Sequence, residues 1–277
     1  MPEHRLSTWS RRTAAAIAAA VFVLPLWFMV SGSLREPGTP PPRTPELLPR
    51  PVSVESYRDA FGLVDLARHT VNSLAVAAIT VPIAVLVAAW AGFAMLLLTP
   101  RLRNVLVAVS FAALMVPITA LLVPRFALFR SLGVIDTWVP LIAPAVLGLS
   151  PFYVLLFHWS FRRIPVELFE AARLEGMTPF RTWRRLAMPL VRPVTAAVAL
   201  LAFIASWSNF LEPLVYLFDS DLYTLPLGLR SLEVLDRTNY PILLAGAVVA
   251  TAPVVAAFLL AQRYFLHEDR GAGWLGR

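Results

Sequence analysis

Residues 162–192 read RRIPVELFEAARLEGMTPFRTWRRLAMPLVR, a polar, arginine-flanked segment that lies between two long apolar runs. The chain has 277 residues, of which 58% are hydrophobic and only 15% are charged. Such a composition is typical of a polytopic membrane protein. A chain this apolar rarely places so many charges between two runs unless something binds there. The segment therefore indicates a membrane protein that meets a partner outside the bilayer.

Six apolar runs are long enough to cross the roughly 30 Å hydrocarbon core, which takes about 20 helical residues. They are Thr13–Leu34, His69–Pro100, Asn104–Pro124, Thr137–Phe161, Pro193–Leu211 (extendable to Phe218) and Thr238–Gln262. The runs are too long and too uniformly apolar for barrel strands, so helices are the spanning form that fits. We predict an all-α, polytopic membrane protein with six transmembrane helices in residues 13–265.

The arginines predict the orientation of these spans. All 24 basic residues are arginine. With both termini in the cytoplasm, 15 of the 24 fall in inner segments and nine in outer segments, as the positive-inside rule requires. The inner segments are then the tails, 1–12 and 266–277, the loop 162–192, the short loop that carries Arg101 and Arg103, and the inner end of the sixth span at Arg263. The formal net charge of +7 is explained by this inner surface, and nucleic acid is not expected as a partner.

The main outer segment, residues 35–68, is rich in proline in its first half. Seven prolines lie there: Pro37, Pro40, Pro41, Pro42, Pro45, Pro49 and Pro51. Such a stretch predicts an extended, polyproline-like strap. It could be a spacer or a docking surface, and the sequence leaves both open.

Local signals divide the loop 162–192 into two short helices. Pro165 suits the first turn of a helix, and Gly176 suits the left-handed position that ends one. Thr178 can cap a second helix that has Pro179 at its first position. The small side chains of Ala171 and Ala172 would let another protein approach closely. The alternative is a helix pair held at the membrane surface by headgroups, with arginines that only obey the positive-inside rule.

The segment resembles the EAA loop of the permeases of ATP-binding-cassette (ABC) importers, whose pattern is Glu-Ala-Ala, three residues, Gly, nine residues, an aliphatic residue, one residue, Leu-Pro. The matching positions are Glu170, Ala171, Ala172, Gly176, Leu186 and Pro189, with Met188 in place of the usual Leu. Most of the chain is similar to carbohydrate-uptake permeases of the maltose type. The similar stretches are residues 71–74, 115–117, 132–137, 164–168, 203–211 and 223–229. The tail Gly271–Arg277 departs from that family.

The resemblance implies the fold of a type I ABC importer permease in a bacterial inner membrane. It implies a second homologous permease, a cytoplasmic ABC ATPase dimer docked on the EAA loop, and an extracytoplasmic solute-binding protein. It also implies alternating access for a sugar or sugar derivative. The chain has no phosphate-binding loop, so ATP and Mg are expected in the partner ATPases, with no cofactor and no catalytic residue here.

One side of the fifth span carries small and polar residues, among them Ser206, Asn209, Glu212 and Tyr216. A carboxylate facing lipid is costly, so Glu212 is expected to face a cavity or a partner. The side could line the substrate pathway or pack against the other subunit. His158, at the inner end of the fourth span, is expected at the membrane interface.

Other functions are less well supported. No metal site is expected, since there is no cysteine and the four histidines are scattered. A membrane enzyme would need a cluster of catalytic side chains. An ion-coupled secondary transporter would have more spans and deep acidic residues. An ABC importer permease for amino acids, peptides or phosphonates remains open, because the EAA pattern does not identify the solute.

Overall fold

The computed structural model describes residues 8–42, 44 and 46–266, and within this part of the chain no β-strand occurs. The helices, numbered in chain order, are α1 Thr8–Ser33, α2 Glu55–Leu63, α3 Leu66–Ala94, α4 Pro100–Leu114, α5 Leu122–Ser131, α6 Val139–Val146, α7 Pro151–Phe161, α8 Val166–Leu174, α9 Pro179–Thr182, α10 Met188–Leu190, α11 Arg192–Trp207, α12 Leu211–Tyr216, α13 Leu225–Leu235 and α14 Tyr240–Leu266. Residues 1–7 and 267–277 of the predicted tails lie outside the described residues, whereas 8–12 belong to α1.

Within the described residues, four helical stretches are long and apolar enough to cross a membrane. They are Arg12–Ser33, Leu66–Leu97, Val139–Phe161 and Tyr240–Arg263. Two further helix pairs, Pro100–Leu114 with Ile118–Ser131 and Pro179–Leu190 with Arg192–Trp207, are bent by 88° and 85°. The total is six if each bent pair counts as one span, in agreement with the predicted number.

The third span is not the straight run Asn104–Pro124 that hydropathy predicts. The helix α4 ends at Leu114, and the chain turns by 88° before Ile118–Ser131. Pro117 has no N–H to continue the helix, and it disfavours helical geometry at Val116. The apolar run continues through the turn, so composition alone did not reveal it.

The fifth span is interrupted as well. The helix α11 ends at Trp207, and residues 208–210 are not helical before α12 begins. Pro213 cannot donate a hydrogen bond to the carbonyl oxygen of Asn209, so an unbroken helix through this region would lack that bond. The straight helical face predicted beyond Trp207 is therefore wrong in its geometry.

The chain divides into two compact units, one of Met1–Ala67 with Gly228–Ala252 and one of Arg68–Leu227 with Pro253–Arg277. In the first unit, the chain after the prolines returns to the end of α1. The Ser53 N–H donates to the Leu34 carbonyl oxygen at 2.8 Å, and the Ser56 hydroxyl donates to the Arg35 carbonyl oxygen at 2.7 Å. These bonds satisfy carbonyls beyond the last turn of α1 and fix where the strap ends.

The core of the second unit brings α3, α7, the loop 162–192 and α11 together. Its buried residues are Val85, Ala88, Ala89, Phe93, Phe157, Phe161, Trp183, Ala187, Val191 and Val198. The helices α3 and α7 approach so closely at Gly92 that an added Cβ would lie 2.9 Å from His158 N, Phe157 Cβ and Val154 O. Only glycine fits this crossing without a shift of backbone.

His158 lies inside this core, and its predicted place at the membrane interface is wrong. Its side chain is completely buried, and Nδ1 lies 3.3 Å from the Gly92 carbonyl oxygen. The missing Cβ of Gly92 allows α7 to come near enough for this contact. The sequence showed where along the span the histidine lies, but not which side of the helix is covered.

Candidate functional site

The first helix of the loop 162–192, α8, ends in a tight glycine turn. The Met177 N–H donates to the Ala172 carbonyl oxygen and the Gly176 N–H to the Arg173 carbonyl oxygen, both at 2.9 Å. This pair of bonds is a Schellman motif. Gly176 has φ of +71°, a left-handed conformation that is strained for other residues. The predicted helix end at Gly176 is confirmed, and Pro165 immediately precedes α8 rather than lying in its first turn.

The tip of the glycine turn is exposed. The two alanines at the end of α8, Ala171 and Ala172, face different sides of the helix. Leu174 is 91% exposed, although an isolated leucine gains nothing from contact with water. Ala171 and Glu170 are also exposed, whereas Ala172 is only 5% exposed and contacts the interior of this chain. The space for a partner that was expected at both alanines is therefore present at Ala171 alone. Leu174 was not among the residues predicted for this loop, because its exposure depends on how α8 packs.

The second helix of the loop begins as predicted, with Thr178 as its cap and Pro179 at its first position. The Thr178 hydroxyl accepts the Arg181 N–H at 3.4 Å. The helix continues through a π-helical turn, Trp183–Ala187, into α10, where Pro189 is exposed. A π-turn and a proline are each a recognised cause of a helix kink, and the 85° bend into α11 follows both.

Aromatic contacts connect the loop 162–192 with α3. The rings of Trp90 and Trp183 stack with centroids 5.8 Å apart, and Phe180 lies 5.9 Å from Trp90. Phe169 of α8 lies 6.3 Å from Phe93. Each half of the loop therefore packs against α3.

A cavity of about 430 Å³ lies between the spans of the second unit. Its volume is in the range of small-molecule binding pockets. Most of its wall is apolar, and its polar lining residues include Thr80, Arg125, Ser206, Asn209, Glu212 and Thr224. Thr80 Oγ1, Thr224 Oγ1 and Arg125 Nη2 are enclosed by protein and have no hydrogen-bond partner among the residues that the structure describes. Among the lining residues, Ser206 and Asn209 are half-buried and can hydrogen-bond a polar solute.

Glu212 is 7% exposed and forms an ion pair with Arg125, with 2.5 Å between Oε1 and Nη1. The amide of Asn209 donates to Glu212 Oε2 at 2.8 Å, and its Oδ1 accepts the Glu212 N–H at 3.3 Å. The guanidinium of Arg125 also lies 5.9 Å from the ring centroids of Phe129 and Tyr216. The two charges cancel, so this wall of the cavity is polar without net charge.

Three of the four predicted pathway residues line the cavity: Ser206, Asn209 and Glu212. Tyr216 does not, since it is completely buried behind the wall and packs edge-on against Phe129 at 5.5 Å. Glu212 was expected to face a cavity or a partner, and it faces the cavity, where it pairs with Arg125 of the same chain. Arg125 was assigned to an outer segment by charge counting, and no sequence pattern indicated that it pairs with a residue 87 positions away.

Asp136 fixes the chain beyond α12. It has φ of 60°, its N–H donates to the Tyr216 carbonyl oxygen at 2.9 Å, and Oδ1 accepts the N–H groups of Phe218 and Asp219 at 2.8 and 2.9 Å. The bond from Asp219, and then that from Phe218, lowers the pKa of the Asp136 carboxyl below its ordinary value. Among residues 8–42, 44 and 46–266 there is no cluster of three or more metal-ligating His, Cys, Asp or Glu side chains.

Two curated relatives align over most of the chain. The arabinooligosaccharides transport system permease protein AraQ of Halalkalibacterium halodurans is 35% identical over 195 residues, which cover 70% of this chain and 69% of that protein. The protein of the same name in Bacillus subtilis is 30% identical over 256 residues, which cover 89% of this chain and 88% of the relative.

The fold has a counterpart among solved structures. A bacterial ABC transporter involved in the import of the acidic polysaccharide alginate matches with a TM-score of 0.73 and 19% sequence identity, covering 96% of this chain and 100% of that chain. The sequence model described as "Binding-protein-dependent transport system inner membrane component" matches residues 80–268, which include the whole loop 162–192 and the cavity residues of α11 and α12. The chain therefore belongs to the family of inner membrane components of binding-protein-dependent transport systems.

Proposed function

We propose that this chain is a transmembrane permease subunit of an ABC importer that carries a sugar or sugar derivative. A second permease completes the pathway, and a solute-binding protein delivers the sugar from outside. ATP and Mg bind to two separate ATPase subunits, which hydrolyse ATP, so this chain is not itself an enzyme. Both termini lie in the cytoplasm, in accord with the arginine distribution.

The observation that carries this proposal is the construction of the loop 162–192. Its tip, at Leu174 and Gly176, is exposed, while its base at Trp183 and Ala187 is buried in the core between spans. A segment that is free at one end and packed at the other can receive a force from a partner and pass it to the spans. Glu170, Ala171 and Gly176 lie on or beside the exposed part, where an ATPase would dock.

The charge and polarity of the cavity wall suit an uncharged, polyhydroxylated solute. Arg125 and Glu212 neutralise each other, so the wall has no net charge to attract or repel an ion. The half-buried side chains of Ser206 and Asn209 line the cavity, where they could hydrogen-bond sugar hydroxyls. The names of the two relatives agree with this class, since both refer to arabinooligosaccharides.

The test is a proteoliposome assay with the permease pair, the ATPase and the solute-binding protein. A panel of sugars, amino acids and peptides is screened for stimulation of ATP hydrolysis. We expect stimulation by one class of sugar and by no amino acid or peptide. Stimulation by an amino acid or a peptide would show a different importer class. Uptake that needs only a proton gradient would show an ion-coupled transporter.

Docking at the loop 162–192 is tested by Glu170→Lys and Gly176→Val. The control is Gly133→Val, because Gly133 also has a positive φ, of 69°, and open space around it. Both glycine variants carry the same backbone strain, so a general loss of stability affects both. We expect membrane insertion in all three variants and loss of stimulated ATP hydrolysis in Glu170→Lys and Gly176→Val only. Full stimulation in those two variants would refute the docking site.

A further inference from the structure

The strap between α1 and α2 runs back along the side of α1 instead of extending away from it. The Trp27 Nε1–H donates to the Leu47 carbonyl oxygen at 2.9 Å, and the Ser31 hydroxyl donates to the Glu46 carbonyl oxygen at 3.4 Å. Arg35 Nη1 binds Glu46 Oε2 at 2.8 Å. Trp27 and Ser31 are four residues apart, so they lie on one side of α1, and Arg35 follows two residues beyond the end of the helix. Residues 46 and 47 are therefore held against that side.

The level of these contacts follows from helix geometry. Trp27 lies six residues before Ser33, the end of α1, which is about 9 Å along the axis. The interval between Arg12 and Arg35 is charge-free and spans about 35 Å, so a hydrocarbon core of about 30 Å ends close to Ser33. Leu47, bound to Trp27, is thus placed below that boundary, on the bilayer side of the helix end.

The side chains at this level are apolar and uncovered. Leu47 is 70% exposed and Leu48 is 56% exposed. Trp27 is 45% exposed, and none of residues 12–30 of α1 is buried. The two leucines therefore continue the surface of a helix that itself lies in lipid. The neighbouring Glu46 carboxylate is paired with Arg35. Beyond the buried Pro49 the chain returns to the end of α1, where the Ser53 N–H binds the Leu34 carbonyl oxygen.

We propose that Leu47 and Leu48 insert into the bilayer beside Trp27 and anchor the strap to the membrane. The occupant of this apolar surface is lipid, at the boundary of headgroups and acyl chains, where tryptophan also concentrates. A soluble binding protein is a poor candidate, because it would have to reach below the headgroups. The outer leaflet is assigned through the proposed topology, whereas the insertion itself needs only that α1 spans the membrane.

Because the chain has no cysteine, a single introduced cysteine is its one site for thiol labelling. Leu48→Cys and Val54→Cys are prepared in the assembled transporter, with partner subunits free of cysteine, and labelled with an environment-sensitive fluorophore. Val54 is the matched control. It is 57% exposed, like Leu48, but it lies between Ser53 and Ser56, which bind at the end of α1. Quenching is measured in nanodiscs by nitroxide lipids labelled on the acyl chain and by iodide in water.

We expect acyl-chain nitroxide to quench the label at position 48 at least about threefold more than the label at 54, and iodide to show the reverse order, because only position 48 lies in the hydrocarbon boundary. Equal quenching at the two positions would overturn the proposal. The proposal would also be overturned if iodide quenches the label at position 48 and this quenching disappears when the solute-binding protein is added, because that result indicates protein docking. A label that neither quencher reaches would place the second permease there and would equally overturn it.

Leu47→Cys repeats the measurement in case labelling at position 48 disturbs assembly. The result is independent of the solute. If no sugar stimulates ATP hydrolysis but the expected quenching order is found, the membrane anchor is supported and the proposed substrate class is refuted. If sugar stimulation is found but the quenching order is reversed, only the anchor is refuted.

Discussion

Trp90 of α3 and Trp183 of the loop 162–192 stack with ring centroids 5.8 Å apart. The two side chains differ in burial, since Trp183 is 8% exposed and Trp90 is 55% exposed. Trp90 can therefore be removed with less damage to the core than its partner. It also contacts Phe180, so one substitution removes two of the aromatic contacts that join the loop to α3.

Trp90→Ala is expected to weaken coupling while leaving the complex assembled. Each aromatic pair is worth about 0.5–1.5 kcal/mol, so loss of two should reduce binding-protein-stimulated ATP hydrolysis by roughly tenfold. Trp159→Ala is the control, because Trp159 is 39% exposed and contacts Phe111 on α4 rather than the loop. Equal loss in both variants would mean that the effect is general instability and that Trp90 has no part in coupling.

The Arg125–Glu212 pair should show strong mutual dependence. Glu212→Leu leaves the guanidinium buried without a counter-charge, which costs about 3–5 kcal/mol for buried pairs. The double variant Arg125→Leu/Glu212→Leu removes both charges and is expected to recover most of this stability. Thermal unfolding in detergent measures the stability of the parent chain, the two single variants and the double variant. If the double variant is as unstable as the two single variants added together, the residues act independently and the pair is not what stabilises this wall.

Gly92 should tolerate no side chain. In Gly92→Ala the new Cβ meets two backbone atoms and one Cβ at 2.9 Å, so α3 and α7 must separate. We expect a loss of about 1–3 kcal/mol in the free energy of unfolding, as for other overpacked sites. Gly62→Ala is the control. That residue lies in α2 with nothing within 4 Å, and alanine there should stabilise by roughly 0.5–1 kcal/mol. A neutral Gly92→Ala would show that the crossing is loose.

Asp136 gives the structure a dependence on pH. Its carboxylate accepts the two N–H groups of Phe218 and Asp219, and its pKa is lowered in the folded chain. Its contribution to stability is therefore complete above the ordinary carboxyl pKa near 3.9 and is lost as the pH falls through the lowered value. Asp136→Ala should have a lower Tm than the parent chain at pH 7, and the difference should shrink toward pH 3.

Asp136→Asn is the informative companion, because asparagine tolerates the left-handed conformation and keeps an acceptor oxygen. Its Tm should lie between the other two at pH 7 and should lack the loss that the parent shows in acid. A difference between Asp136→Ala and the parent that is unchanged at pH 3 would show that the carboxylate charge plays no part.

The features that were predictable from the sequence are local. Thr178, Pro179 and Gly176 act on backbone groups within a few residues of themselves, so capping rules placed them correctly. The spans were found because apolar length is a property of the chain alone. The bend before Ile118 was missed, because Pro117 lies in an apolar run where a straight, kinked or broken helix would have the same hydropathy.

The features that were missed depend on packing between distant segments. Arg125 meets Glu212 across 87 positions, and no local pattern records that contact. Tyr216 was misplaced because a helical projection assumes an unbroken helix, whereas residues 208–210 interrupt it. The side of α8 that Ala172 faces is set by what covers the helix, which a single sequence does not reveal.

The close crossing at Gly92 has a consequence for motion. Two helices that touch backbone to backbone cannot slide past each other without breaking contact along the whole crossing, so α3 and α7 should move as one rigid body. The deformable places are then the 88° break before Ile118 and the 85° break before Arg192. We expect these two breaks to be the hinges about which the permease changes the side to which its cavity opens.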